Sequence, residues 1–144
     1  MPIEDRDFSF YPLRASELIT ELCRLLPTDC VLSDAEALRP YECDGLSAYR
    51  ELPLAVVIPT DVGQICDVMR YCGAHSIPVV ARGAGTSLSG GARPHKDGIV
   101  LSLARFNQIL AIDPTNRTAR VQPGVRNLAI SEAVAHLGLY YAPD

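Results

Sequence analysis

Between Leu54 and Gly91 the chain runs apolar segment, amphipathic segment, apolar segment and glycine-rich loop, an order that leaves few architectures open. Leu54-Ala55-Val56-Val57-Ile58 is continuously apolar, as in a strand covered on both faces, and Pro59 stops it. A helix is predicted to open near Asp61 with Val62, Ile65, Cys66, Met69 and Cys72 on one stripe. Gly73 and Pro78 close it around the next apolar run, Ile77 to Ala81. Crossovers of this βαβ kind are almost always right-handed and make their strands parallel. The loop after the second strand then falls at the carboxyl end of the sheet, where ligands commonly bind.

That loop, Arg82-Gly83-Ala84-Gly85-Thr86-Ser87-Leu88-Ser89-Gly90-Gly91, holds four of the ten glycines of the chain. Glycine takes positive φ and lets a backbone approach a ligand, so successive N–H groups can share one concavity suited to phosphate. Thr86, Ser87 and Ser89 add hydroxyl donors, and Arg82 adds a planar, permanent charge. A tight turn alone would need fewer glycines.

The flanks are read by the same rules. Leu18, Leu22, Leu25 and Leu26 recur at helical spacing between Ser16 and Pro27. From Thr28 to Leu52 Asp, Pro and Gly break the pattern, periodicity places no element, and Glu42 and Asp44 read as part of a solvated turn. Gly98 to Leu103 reads as a strand. Ile109 to Ile112 and Ala119 to Val121 form a hairpin around Asp113-Pro114-Thr115-Asn116-Arg117. Asn127 is expected to cap a last helix with Ile130, Ala133, Val134 and Leu137 inward, ended by Gly138. The fold class is α+β, a mixed sheet with a βαβ unit and flanking helices. The expected division is a helical and loop segment over 1–50 and a binding domain over 51–144.

Composition narrows the partners. The 144 residues suffice for one domain with a real core, and the net charge of −4 disfavours nucleic acid. Charge is unevenly spread: Met1–Asp44 carries ten acidic and four basic residues, Arg82–Arg126 seven basic and two acidic. The glycine-loop half is therefore the half that attracts a small anion. Five cysteines without a C-x-x-C pair read as buried small hydrophobes in a reducing cytoplasm. Without an 18-residue apolar run or a positive amino-terminal leader, no transmembrane segment or secretory signal is expected.

A dinucleotide fingerprint starting at Gly83 fails because position 88 is leucine, and a Walker loop fails because Lys96 is the only lysine. What remains is a strand, Arg-Gly-x-Gly-Thr-Ser-x-x-Gly-Gly and another strand, followed by Val121-Gln122-Pro123-Gly124-Val125. This resembles the flavin domain of the FAD-linked oxidase superfamily, of the vanillyl-alcohol-oxidase or p-cresol-methylhydroxylase type. Tyr41 to Arg50, Val121 to Ser131 and Tyr140 to Asp144 are most similar to flavin subunits of bacterial glycolate oxidases, relatives of D-lactate dehydrogenases.

The resemblance implies that Arg82, Gly83, Ala84, Gly85, Thr86, Ser87, Gly90 and Gly91 wrap the FAD pyrophosphate. Pro143 and Asp144 match the start of a second flavin-lining segment. Covalent members carry a histidine where this chain has Thr86, so non-covalent FAD is implied. Family members continue past Asp144 into the rest of the flavin domain and a cap that holds the substrate and the base. The implied parent is a cytoplasmic oxidoreductase that converts a 2-hydroxy acid of glycolate or D-lactate type to the 2-oxo acid, possessing companion subunits. The chain alone is expected to lack activity, because no residue in it reads as a catalytic base or metal ligand.

His75, His95 and His136 read as surface or capping residues, and Arg93, His95 and Lys96 as equally suited to attracting phosphate or to a solvated loop. Two alternatives stand beside the flavin reading. One is a non-catalytic module that binds a phosphate ligand or a partner subunit, the other an incomplete, inactive gene product.

Overall fold

The computed structural model describes residues 15–142. Helix α1 spans Ala15–Leu25, and a short turn leads to strand β1, Val31–Leu32. The one-turn helix α2, Ala35–Leu38, starts on Asp34, whose carboxylate accepts the Ala37 N–H at 2.9 Å. After strand β2, Ala55–Val57, helix α3 covers Val62–Ala74, and its cap Asp61 accepts the Gln64 N–H at 2.9 Å. Strand β3, Val79–Arg82, precedes the glycine loop, and strand β4, Ile99–Ser102, follows it.

The four strands lie in the order β1-β2-β4-β3. β4 is parallel to both neighbours, pairing Val100 with Val56 on one side and Val80 on the other, while β1 runs antiparallel to β2. The two strands of the βαβ unit are thus parallel as expected, with β4 inserted between them. Every residue of β4 is buried. Alternation then sorts the side chains. Ala55, Val57, Ile99 and Leu101 pack under Leu18, Leu22, Val68 and Cys72 of α1 and α3. Val56 and Val100 face Leu38, Leu32, Tyr41 and Ile58 on the opposite side. Both faces are covered, which is why these strands are apolar throughout.

Four expectations are corrected. The inward stripe of α3 is Ile65, Val68 and Cys72, whereas Val62 and Met69 are 64% and 45% exposed. Apolar residues cover more than half of this helix, and contact with α1 selects which of two stripes turns in. Asn127 does not cap the last helix: α4 spans Asn127–Val134 with Arg126 at the cap position and no side-chain cap bond. Ile130 and Val134 are buried, but Leu137 is 41% exposed on a terminal turn that Gly138 ends at φ +68°. Nor are all five cysteines buried: Cys30 and Cys72 are, Cys43 and Cys66 are half-buried, and Cys23 is exposed. Finally, Asp44 is only 5% exposed rather than solvated, while Glu42 pairs with Arg50 at 2.6 Å.

The interior position of Cys72 has a measurable consequence. Burial pushes its thiol up from an ordinary value near 9 to about 11. The folded chain then holds this proton more tightly than the unfolded chain, so the contribution is complete below pH 9 and is lost as pH rises toward about 11. Urea midpoints of the wild type are expected to fall over that interval by more than those of Cys72→Ala. Equal pH dependence in the two proteins would contradict this assignment.

The hairpin of β5, Ile109–Asp113, and β6, Thr118–Val121, forms a separate two-stranded sheet. Asp113 accepts both the backbone and the side-chain N–H of Asn116, which holds its carboxyl below the usual range and fixes the turn. Among the described residues no helix is long and apolar enough to cross a membrane.

Candidate functional site

The glycine loop leaves the carboxyl end of β3, and the segment Leu103–Asn107 leaves the same end of the adjacent β4. The hairpin brings a third segment to this edge. Gln122 N–H donates to the Gln108 carbonyl at 2.9 Å, and Gly124 N–H to the Phe106 carbonyl at 2.7 Å. Gly124 is required here by proximity, since a Cβ would stand 2.5 Å from the Leu103 carbonyl oxygen and 2.8 Å from that of Phe106.

These three segments enclose a cleft of about 780 Å³. Gly83, Ala84 and Thr86 line one wall, Ala104 and Asn107 the base, and Pro123–Asn127 with Ala129 the other wall. Among the described residues no protein acceptor takes the N–H groups of Gly83, Ala84, Gly85 or Thr86. Gly85 and Gly90 hold φ of +70° and +73°, as the loop required, and nothing lies within 4 Å of a Cβ built on Gly90 or Gly91. The amino end of α4 opens on the same cleft, with Ala129 and Ile130 donating to the Arg126 carbonyl. Arg126 is exposed in the cleft wall and makes no ion pair or side-chain hydrogen bond among the described residues.

The candidates named from the sequence therefore separate. Gly83, Ala84 and Thr86 line the cleft, and Gly85 lies between them. Ser87 is exposed and its Oγ accepts the Ser89 N–H at 3.2 Å, outside the cleft lining. Gly90 lines a separate recess with Arg93, His95 and Lys96, and Gly91 is exposed. Pro143 and Asp144 lie outside the described residues. Arg82 departs most from the phosphate-facing position expected of it. It is 8% exposed, and Nη1 and Nη2 donate to the carbonyls of Cys43 at 2.7 Å and Pro40 at 3.3 Å. The sequence reading missed Ala104, Asn107, Arg126 and Asn127. The available signal was Pro123-Gly124 between a strand and a helix, a turn that folds back on the sheet.

Fold and cleft together define an α+β domain of the kind that takes a nucleotide-like ligand at the carboxyl ends of parallel strands. The family described as FAD binding domain matches residues 53–144, and the chain belongs to it. It is 58% identical over 114 residues to glycolate oxidase subunit GlcD of Escherichia coli, covering 79% of this chain and 23% of that protein. D-2-hydroxyglutarate dehydrogenase of Stutzerimonas stutzeri is 35% identical over 127 residues, 88% of this chain and 27% of that protein. The solved structure of p-cresol methylhydroxylase with substrate bound superposes with a TM-score of 0.71 at 27% identity, covering 86% of this chain and 25% of that one. The fold is thus the p-cresol-methylhydroxylase type, and the chain spans about a quarter of the length of these relatives.

The residues present fit a flavin dinucleotide. Gly83, Ala84 and Thr86, whose N–H groups find no protein acceptor among the described residues, line one cleft with an amino helix end and the Arg126 cation, which is the donor set a diphosphate takes.

Proposed function

We propose that this chain forms the pyrophosphate-binding part of an FAD-dependent oxidoreductase that oxidises a 2-hydroxy acid of glycolate or D-lactate type to the 2-oxo acid. The supporting observation is the cleft lined by Gly83, Ala84 and Thr86 and by Pro123–Asn127, where loop N–H groups without a protein acceptor among the described residues share one lining with the exposed Arg126. The relatives named for glycolate and D-2-hydroxyglutarate support the substrate class.

When bound, FAD supplies the hydride acceptor for this chemistry. The chain's part is binding and orientation. Gly83, Ala84, Gly85 and Thr86 offer backbone donors to the diphosphate, Arg126 balances its charge, and Asn107 offers an amide at the base of the cleft. Thr86 is no nucleophile at neutral pH, so this position offers the flavin no covalent link. The described lining of the cleft includes no carboxylate or imidazole, so this cleft supplies no base for proton removal from the substrate. Free thiols at all five cysteines suit a reducing cytoplasm. The subunit designation of the Escherichia coli relative supports companion subunits for the whole protein.

Titration of the purified chain with FAD, followed by flavin fluorescence and with ADP as competitor, tests the reading. Equimolar, ADP-sensitive binding is expected. Binding of ADP or phosphate without any flavin would favour a phosphate-ligand module instead, and binding of neither would end the proposal. Arg126→Ala is expected to weaken ADP about tenfold or more, the loss of a charge-assisted contact of roughly 1.5–3 kcal/mol. Unchanged affinity would remove Arg126 from the site.

A further inference from the structure

Arg82 ends β3 at the mouth of the glycine loop, yet the lining of the cleft does not include it. Its guanidinium turns back beneath the loop. Besides its bonds to the Cys43 and Pro40 carbonyls, the guanidinium lies over the Tyr41 ring, 5.4 Å from the centroid. Gly85, at φ +70°, folds directly over this group: a Cβ there would collide with the guanidinium carbon and two of its nitrogens. The segment held from below is also in contact with the loop. A Cβ on Gly45 would stand 2.7 Å from the Thr86 carbonyl oxygen and 3.0 Å from that of Ser87. Beside it, Asp44 is 5% exposed and its Oδ1 accepts the Leu46 N–H at 3.0 Å.

Resting on the flavin reading above, we infer that Arg82 is a positioning residue, a clasp that joins the glycine loop to Pro40–Gly45 and sets the shape in which Gly83–Thr86 present their N–H groups, without itself touching a phosphate. The geometry separates the two roles. A phosphate ligand must reach the cleft, whereas Arg82 is 8% exposed, directs one N–H of each terminal nitrogen to a carbonyl, lays its guanidinium face on an aromatic ring and has Gly85 packed against it. A bidentate, stacked role also has no substitute in lysine, whose ammonium is a point charge unable to span both carbonyls while covering the ring. Sequence distance hides the device, since Arg82 meets carbonyls 39 and 42 residues earlier.

The test uses Arg82→Lys, Arg82→Ala, Gly85→Ala and the Arg82→Ala/Gly85→Ala double variant. ADP and FAD affinity, the salt dependence of ADP binding, and amide exchange in the ligand-free protein are measured for each. Arg82→Lys is expected to lose as much affinity as Arg82→Ala, about tenfold or more, with exchange of the hydrogen-bonded Glu42 and Leu46 amides in the clasped segment accelerated by a similar factor and Val100 unaffected. The salt slope of ADP binding should stay that of the wild type, because no phosphate contact has been removed. Gly85→Ala should cost less affinity beside Arg82→Ala than alone, its collision partner being gone.

Arg82→Lys that binds within twofold of wild type, or Arg82→Ala that lowers the salt slope with amide exchange unchanged, would overturn the inference in favour of a direct ligand. If Arg82→Ala fails to fold, Tyr41→Leu removes the stacking face while keeping an apolar side chain beside Leu38, Val56 and Val100, and carries the same measurements. A wild-type chain that binds neither FAD nor ADP would sink the flavin reading, while exchange at Glu42 and Leu46 would still decide the clasp.

Discussion

Gly124→Ala is expected to abolish measurable FAD and ADP binding and to lower the stability of the chain by about 1–3 kcal/mol or more, the range for a group forced into filled space. The added methyl would stand 2.5 Å from the Leu103 carbonyl oxygen, 2.8 Å from Phe106 and 3.0 Å from Ala104. All three are main-chain atoms, so no rotamer change relieves the collision. Relief requires Pro123–Arg126 to lift from the end of β4, breaking the 2.7 Å bond between Gly124 N–H and the Phe106 carbonyl. That movement carries away one entire wall of the cleft, including Arg126 and the amino end of α4. Paired ADP titrations and urea midpoints measure both effects. Affinity within twofold of wild type would show that the hairpin side of the cleft does not hold the ligand.

Leu22→Ala should be the most damaging change away from the cleft. Leu22 is fully buried and belongs to the cluster containing Val57, Val68 and Ile99, so truncation removes contacts with α3 and both central strands. Buried leucine-to-alanine changes cost about 2–5 kcal/mol, against a total of roughly 5–15 kcal/mol for an ordinary domain. The test also bears on domain organisation. The family match begins at residue 53 and the expected division fell at 50/51, but α1 packs on the same sheet face as α3, and β1 pairs with β2. A single urea transition shifted to lower midpoint is expected. A transition unchanged by Leu22→Ala would make residues before 51 a separate unit.

How much was legible depended on the range of the forces involved. The βαβ unit and the hairpin could be read because each repeats a local period over several residues. Thr28 to Leu52 could not, because its elements are two to four residues long, shorter than any period can register. The position of β4 was equally hidden: Ile99-Val100-Leu101 declares a buried strand, yet nothing local says that it lies between β2 and β3. At the site, glycines announced a loop needing positive φ, and Gly85 and Gly90 adopt it. The heading of a flexible arginine is a different matter. Arg82 and Arg126 look alike in sequence, and only the carbonyls of Pro40 and Cys43 on one side, and the folded-back hairpin on the other, decide that the first is buried and the second meets the cleft.

The insertion of β4 also constrains the order of events during synthesis. β2 and β3 share no hydrogen bonds with each other; both ladders run through β4, joining Ala55 to Ile99 and Val79 to Ile99. No parallel pairing can begin until Ile99 has emerged from the ribosome, by which time the whole glycine loop is already outside. Beyond the antiparallel pair of β1 and β2, assembly of the sheet and fixing of both ends of the glycine loop are consequently one late step.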